Sequence, residues 1–304
     1  MAANQHHGQQ AGTEDVPAWL SWAYAHPGES RYVSVNGCQL HYLCWSLEDS
    51  TKPAILLVHG MRGHAHWWDA IAPFLARHYR VVALDLSGMG DSGHRAQYTK
   101  QTASGDIVGF LQAIGLSPVT AVAHSFSGPR LLRAVVDAPH LFSRAIILDS
   151  YFVLSEVEVP DDPAQGSPRR VYPDYQTARN RYRLMPEQPE VIAGVLNHIA
   201  HHSIRKDSDG WTWKFDHRLP TGIRHEELAE ELLPLVPCRV DVVFGENSTI
   251  VREADAERVV ALLPEGHGPF GIPGAFHHML IDQPTAVVAI LRGLMADQGV
   301  NRNE

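Results

Sequence analysis

Val122-Ala123-His124-Ser125-Phe126-Ser127-Gly128 sets a serine among small residues, between an apolar β-type run at 119–123 and an amphipathic helical run at 127–136. A strand that turns this sharply into a helix presses the positions two before and two after the serine against neighbouring backbone, so only small side chains fit. Ala123 and Ser127 meet that demand. The layout is that of a nucleophile elbow. Ser125 Oγ is expected at the head of a sheet, and the Phe126 N–H at a helix N-terminus, where it can stabilise an oxyanion.

Outward from this turn, strand and helix signals alternate. A short helix at 16–25 precedes a hairpin of strands at 31–35 and 39–45, joined by Asn36-Gly37. Strands are then expected at 54–58, 80–86, 119–123 and 144–148, with helices at 66–77, 104–114 and 127–136 between them. Continuous apolar runs such as Ile55-Leu56-Leu57-Val58 mark a parallel sheet with helices on both faces. The rhythm stops near Tyr151 and resumes with strands at 239–244 and 269–272 and helices at 254–263 and 284–295. Residues 151–233 are rich in Pro, Arg and aromatics, carry a loop at 160–168 and read as helices without buried strands, a cap inserted after the sixth strand. The expected organisation is a disordered polar tail at 1–15, a core at 16–150 and 234–304, and the helical cap at 151–233.

Composition narrows the partners. The 304 residues hold 25 Lys+Arg against 34 Asp+Glu, a formal net charge of −9 without a basic cluster, which disfavours nucleic acid and anionic membranes. The N-terminal residues lack the apolar stretch of a signal peptide and no run reaches spanning length, so a cytoplasmic location is expected. Cys38, Cys44 and Cys238 lack metal-type spacing and read as reduced thiols.

Three further turns fall at expected strand ends. His59-Gly60-Met61-Arg62-Gly63 follows the strand at 54–58, and its Met61 N–H would supply a second oxyanion donor beside that of Phe126. Asp85-Leu86-Ser87-Gly88-Met89-Gly90-Asp91-Ser92 is a compact glycine turn in which Asp85 can accept backbone N–H groups. No helix opens after its glycines and no Gly-Lys-Ser/Thr is present, so it is scaffold rather than a phosphate loop. Gly274-Ala275-Phe276-His277-His278 offers a general base for the serine, His277 by its place directly after the turn, with His278 as the competitor. His198, His201 and His202 share helical spacing, but no Glu stands where a metal site would need one, and they read as a polar helix flank. No metal and no cofactor is expected.

In this order and spacing, His59-Gly60-Met61, Asp85-x-x-Gly88-x-Gly90-x-Ser92, Ala123-His124-Ser125-Phe126-Ser127-Gly128 and Gly274-Ala275-Phe276-His277 closely resemble the α/β-hydrolase superfamily, over roughly residues 31–150 and 234–297. The resemblance implies a mostly parallel eight-stranded sheet, Ser125 as nucleophile, His277 as base and an oxyanion hole from the Met61 and Phe126 N–H groups. It leaves the substrate open, because this scaffold hosts many chemistries.

The sequence departs from the pattern at the acid. Many relatives carry it in a Gly-x-x-Asp turn after the seventh strand, where this chain reads Gly245-Glu246-Asn247-Ser248. Serine cannot supply the charge that orients the imidazole and stabilises the imidazolium. Asp149, at the end of the sixth strand as in some dehalogenases, a lactonase and cofactor-free ring dioxygenases, is the first substitute and Glu246 the second; a chain without a functional acid is the third case. The expected activity is cleavage of a small, apolar or aromatic ester or lactone through an acyl group on Ser125. C–C bond hydrolysis and cofactor-free ring oxygenation use the same fold, and a non-catalytic ligand receptor is the reading from another class. Cap arginines 169, 170, 179, 181 and 183 are expected to face solvent, and the cap aromatics to pack it onto the sheet.

Overall fold

The computed structural model describes residues 16–155, 166–220 and 227–296. The expected tail at 1–15 and most of the expected loop at 160–168 lie outside the described residues. Helix α1 (Ala18–Tyr24) leads into the hairpin β1 (Glu29–Val35) and β2 (Cys38–Trp45), whose turn holds Asn36 at φ 48° and Gly37 at φ 74°. Two left-handed residues are what a two-residue loop needs to match the strand twist. There follow β3 (Ala54–Val58), α2 (Ala72–Leu75), β4 (Arg80–Leu84), α3 (Thr102–Ile114), β5 (Val119–His124), α4 (Ser127–Asp137) and β6 (Phe142–Leu148). The cap contributes α5 (Tyr175–Arg179), α6 (Ala193–His202), β7 (Ile204–Asp207) and β8 (Gly210–Trp213). The chain returns through α7 (Ala229–Leu232), β9 (Val240–Gly245), α8 (Glu253–Leu262), β10 (Gly266–Ile272), α9 (Met279–Asp282) and α10 (Pro284–Ala296).

Eight strands form one sheet in the order β1-β2-β4-β3-β5-β6-β9-β10. β2 runs antiparallel to both its neighbours and the other pairings are parallel. Alternate residues of the central strands feed two apolar layers. Leu56, Val58, Val82, Leu84 and Ala121 pack with Phe110, Leu131 and Val259 of α3, α4 and α8. Ile55, Leu57, Val81, Ala83 and Val122 pack with Trp68, Leu75, Leu291 and Met295 on the opposite face. Each such fully buried aliphatic side chain contributes about 1.5–3 kcal/mol, so both faces of the sheet must be covered.

Two expectations need correction. The helix expected at 66–77 is a 3₁₀ turn, Ala65–Trp68, followed by the single turn of α2. Pro73 stands at the start of α2, where it lacks an N–H and its ring would clash with a carbonyl one turn back in a continuous helix. The cap is also not purely helical: β7 and β8 form an antiparallel hairpin joined by Ser208-Asp209. Its aromatic rungs hold the cap together, Trp211 edge-on to Tyr175 and Trp213 edge-on to Tyr172. Arg169 reaches Asp207 and Asp209 across exposed surface, and Arg170, Arg181 and Arg183 are exposed, in line with the solvent-facing reading; Arg179 is only partly so.

The cap is tied to the core beyond α6. The Asp216 N–H donates to Gly88 O at 2.7 Å, Tyr98 OH donates to the Asp216 carboxylate at 2.9 Å, and Lys214 pairs with Asp91 at 2.6 Å. No helix among the described residues is long and apolar enough to cross a membrane.

Beneath the sheet, Arg144 of β6 donates to the fully buried Asp241 of β9 and to Leu294 O of α10, and Arg239 also reaches Asp241, at 2.9 Å. Removing one partner of such a pair strands the other charge in apolar surroundings. Asp241→Ala is expected to lower unfolding free energy by about 3–5 kcal/mol, measured by denaturant titration.

Candidate active site

Ser125 lies between β5 and α4 with φ 55°, a left-handed conformation rare outside glycine, and its N–H donates to Leu148 O at 2.9 Å. Close packing explains the small residues around it. A Cβ on Gly128 would fall 2.3 Å from Ser150 Oγ, and one on Gly60 would lie 3.3 Å from Ser125 Cβ and 3.0 Å from His124 Nδ1. The β3 turn and the serine turn therefore touch.

The chain brings together three side chains expected from the sequence. Ser125 Oγ donates to His277 Nε2 at 2.9 Å, and His277 Nδ1–H donates to Asp149 Oδ2 at 2.6 Å. Asp149 is fully buried at the end of β6, with φ 45°. Its Oδ1 accepts the Gly245 N–H at 2.9 Å and its Oδ2 also accepts the Ser248 hydroxyl at 2.6 Å. Ser248 Oγ in turn accepts the N–H groups of Ile250 and Val251. Ser248 thus occupies the turn as a donor to a carboxylate on the neighbouring strand. Sequence reasoning saw it only as a missing acid; its hydroxyl in a tight turn next to an aspartate-bearing strand was the available signal. Glu246 is exposed, beside Gly271, and among the described residues forms no hydrogen bond with His277.

His278 does not compete for Ser125. Its Nε2–H donates to Pro186 O at 3.1 Å and its N–H to Gln188 at 2.9 Å, so it faces the cap. Burial, helped by the adjacent His277, pushes its pKa down to about 3. His124, which the sequence reading gave no role, donates from Nε2 to His277 O at 2.8 Å and fixes that backbone. Burial, then His277 and His278, holds its pKa well below the usual histidine value.

Among the described residues, the N–H groups of Met61 and Phe126 donate to no backbone acceptor. The turn bearing Met61 is set by His59, whose Nδ1–H donates to Gly60 O at 2.7 Å while Nε2 accepts the Leu86 N–H at 3.2 Å. Asp85 acts as the scaffold expected of it: it accepts the N–H groups of Ala65 and Asp91 and the Nδ1–H of His41. Gly90, at φ 57°, is required there, since a Cβ would fall 2.2 Å from Asp85 Oδ2. A cleft of about 580 Å³, counted with its open mouth, starts at Met61 and Phe126 and is walled by Leu86, Met89, Tyr98 and Leu219.

A family model described as alpha/beta hydrolase fold matches residues 53–183. The chain is 22% identical over 253 residues to esterase Rv0045c of Mycobacterium tuberculosis, covering 81% of this chain and 83% of that protein. The solved structure of that esterase superposes with a TM-score of 0.68 at 20% identity, over 94% of this chain and 100% of its own. A thioesterase domain from the curacin biosynthetic pathway superposes with a TM-score of 0.72 at 20% identity, over 88% of this chain and 99% of its own. The chain has the α/β-hydrolase fold, with a largely helical cap inserted after the sixth strand.

The buried histidines make stability depend on pH. Because His278 titrates near 3 when folded and near 6.5 when unfolded, the unfolded chain binds more protons between those values. Its contribution is whole above about pH 6.5 and is lost as pH falls, at up to about 1.4 kcal/mol per pH unit. His124 acts in the same direction. The melting temperature is expected to drop between pH 7 and 5, and His278→Gln to flatten that slope, as read by calorimetry.

Proposed function

We propose that this chain is a serine hydrolase acting on a small carboxylic ester or lactone with an apolar acyl group. The observation that carries the reading is the unbroken line from Ser125 Oγ through His277 to Asp149, with hydrogen bonds of 2.9 and 2.6 Å. His277 Nε2 takes the proton as Ser125 Oγ attacks the carbonyl, and Asp149 holds the ring in the tautomer that leaves Nε2 free and stabilises the imidazolium. The Met61 and Phe126 N–H groups receive the oxyanion. Collapse of the tetrahedral intermediate expels the alcohol, protonated by His277, and a water activated by the same imidazole releases the acid. The apolar wall of Met61, Leu86, Met89, Tyr98, Phe126 and Leu219 suits the acyl chain. Ser248 would have favoured a non-catalytic receptor had it left the histidine without a carboxylate; instead its hydroxyl donates to Asp149.

Ser125→Ala is expected to abolish fluorophosphonate labelling and to lower turnover of p-nitrophenyl esters by about 10⁶. Asp149→Asn, which leaves His277 in the wrong tautomer, should lower turnover by about 10⁴. A wild-type chain that neither labels nor turns over esters of any acyl length would overturn the reading. The proximity of Ser248 Oγ to Asp149 Oδ2 gives a sharper check. Asp149→Ser combined with Ser248→Asp is expected to regain roughly tenfold or more over Asp149→Ser alone, whereas no gain would mean that only β6 can present the acid.

A further inference from the structure

A second group of chemistry-bearing side chains lies where α6 of the cap meets the core. His66 and Asp69 come from the 3₁₀ turn and the residue after it, and His198 and His202 stand one turn apart on α6. His66 Nδ1–H and His198 Nε2–H both donate to Asp69 Oδ2 at 2.7 Å, and the His202 ring stacks on that of His66 with centroids 3.6 Å apart. One ligand atom from each of the four lies within 4.8 Å of the other three. Asp69 is only 7% exposed, and its Oδ1 is buried without a hydrogen-bond partner. His201, expected to share this helix flank, turns away to Tyr175 OH.

We propose that His66, Asp69, His198 and His202 form a binding site for a divalent transition-metal ion of the zinc class, which clamps the cap to the core. Three imidazoles and one carboxylate are the donors that zinc and its neighbours prefer, whereas calcium and magnesium take oxygen-only sets. Zinc bonds of about 2.0–2.2 Å put tetrahedral ligand atoms roughly 3.4 Å apart, so no separation here has to close by more than about 1.4 Å. His202 is half-buried and joined to the cluster through ring contacts, so rotation about its side-chain bonds can supply that movement. A neutral imidazole presents either nitrogen by moving its single ring proton, so the hydrogen bonds to Asp69 pre-position the ligands without blocking them. The sequence does not reveal the site because each half is only a pair; the halves are 129 positions apart between Asp69 and His198. Trp67, beside His66, packs against His124 and His278, so an ion here would stiffen the wall behind the Ser125 turn.

The test uses the full chain carrying His6→Ala and His7→Ala, which removes two adjacent tail histidines able to bind metal, stripped with a chelator and dialysed against Co²⁺ or Zn²⁺. One equivalent of Co²⁺ per chain, with the intense visible absorption of a four-coordinate ion that Zn²⁺ competes away, supports the site. So does a rise of several degrees in melting temperature with Zn²⁺. Asp69→Asn and, separately, His202→Gln should each lose both signals while keeping the metal-free circular dichroism spectrum. Should Asp69→Asn fail to fold, His202→Gln decides. Stoichiometric binding that survives His202→Gln, or a parent protein that takes up no equivalent of either ion, overturns the proposal.

Discussion

The parallel register of β5, β6 and β9 governs everything at the head of the sheet. His124 pairs with Leu148, and Leu148 pairs with Val243, so three strands end level with one another. The next residues along them, Ser125 and Asp149, and the turn that begins at Gly245, are then forced into one small space. β10 pairs in parallel with β9, Ile272 opposite Gly245, and delivers His277 to the same place a few residues later. A slip of one residue in any of these ladders would turn side chains to the opposite face and scatter the group.

A carboxylate without exposure would be untenable at such a spot unless it were fully compensated. Asp149 receives donors from three elements: the Gly245 N–H of β9, the Ser248 hydroxyl in the turn after it, and His277 Nδ1–H after β10. The acid and its supports come from different strands, so the charge is held by the sheet itself. The aspartate at the end of β6 and the serine after β9 form a complementary pair, each making sense of the other.

Much of this was legible in the residues. The continuous apolar runs marked β3 to its observed limits and placed most other core strands within a residue or two, because burial on both faces leaves a plain signal. The turns that carry Ser125, Met61, Phe126 and His277 announced themselves by the small or turn-forming residues in them, which steric crowding enforces. Asp149 could be placed ahead of Glu246 but not fixed, since that choice depends on which strand lies beside which. The break at Asp69 and Pro73 was masked by an apolar pattern of helical period, and the cap hairpin by aromatics that suit helix and strand alike. The meeting of His66 and Asp69 with His198 and His202 depends on where the cap folds back, which no local pattern records.

Ser125 and Asp149 are both L-residues in left-handed backbone, on adjacent strands, at φ 55° and 45°. Each such conformation stores on the order of 1–3 kcal/mol that a glycine would release. Among the described residues, five non-glycine side chains sit on left-handed backbone, and two of them are the ones that anchor the ends of the hydrogen-bonded line. Selection for heat resistance alone would favour replacing these two, so their persistence in a lineage would itself record that the hydroxyl and the carboxylate are still in use.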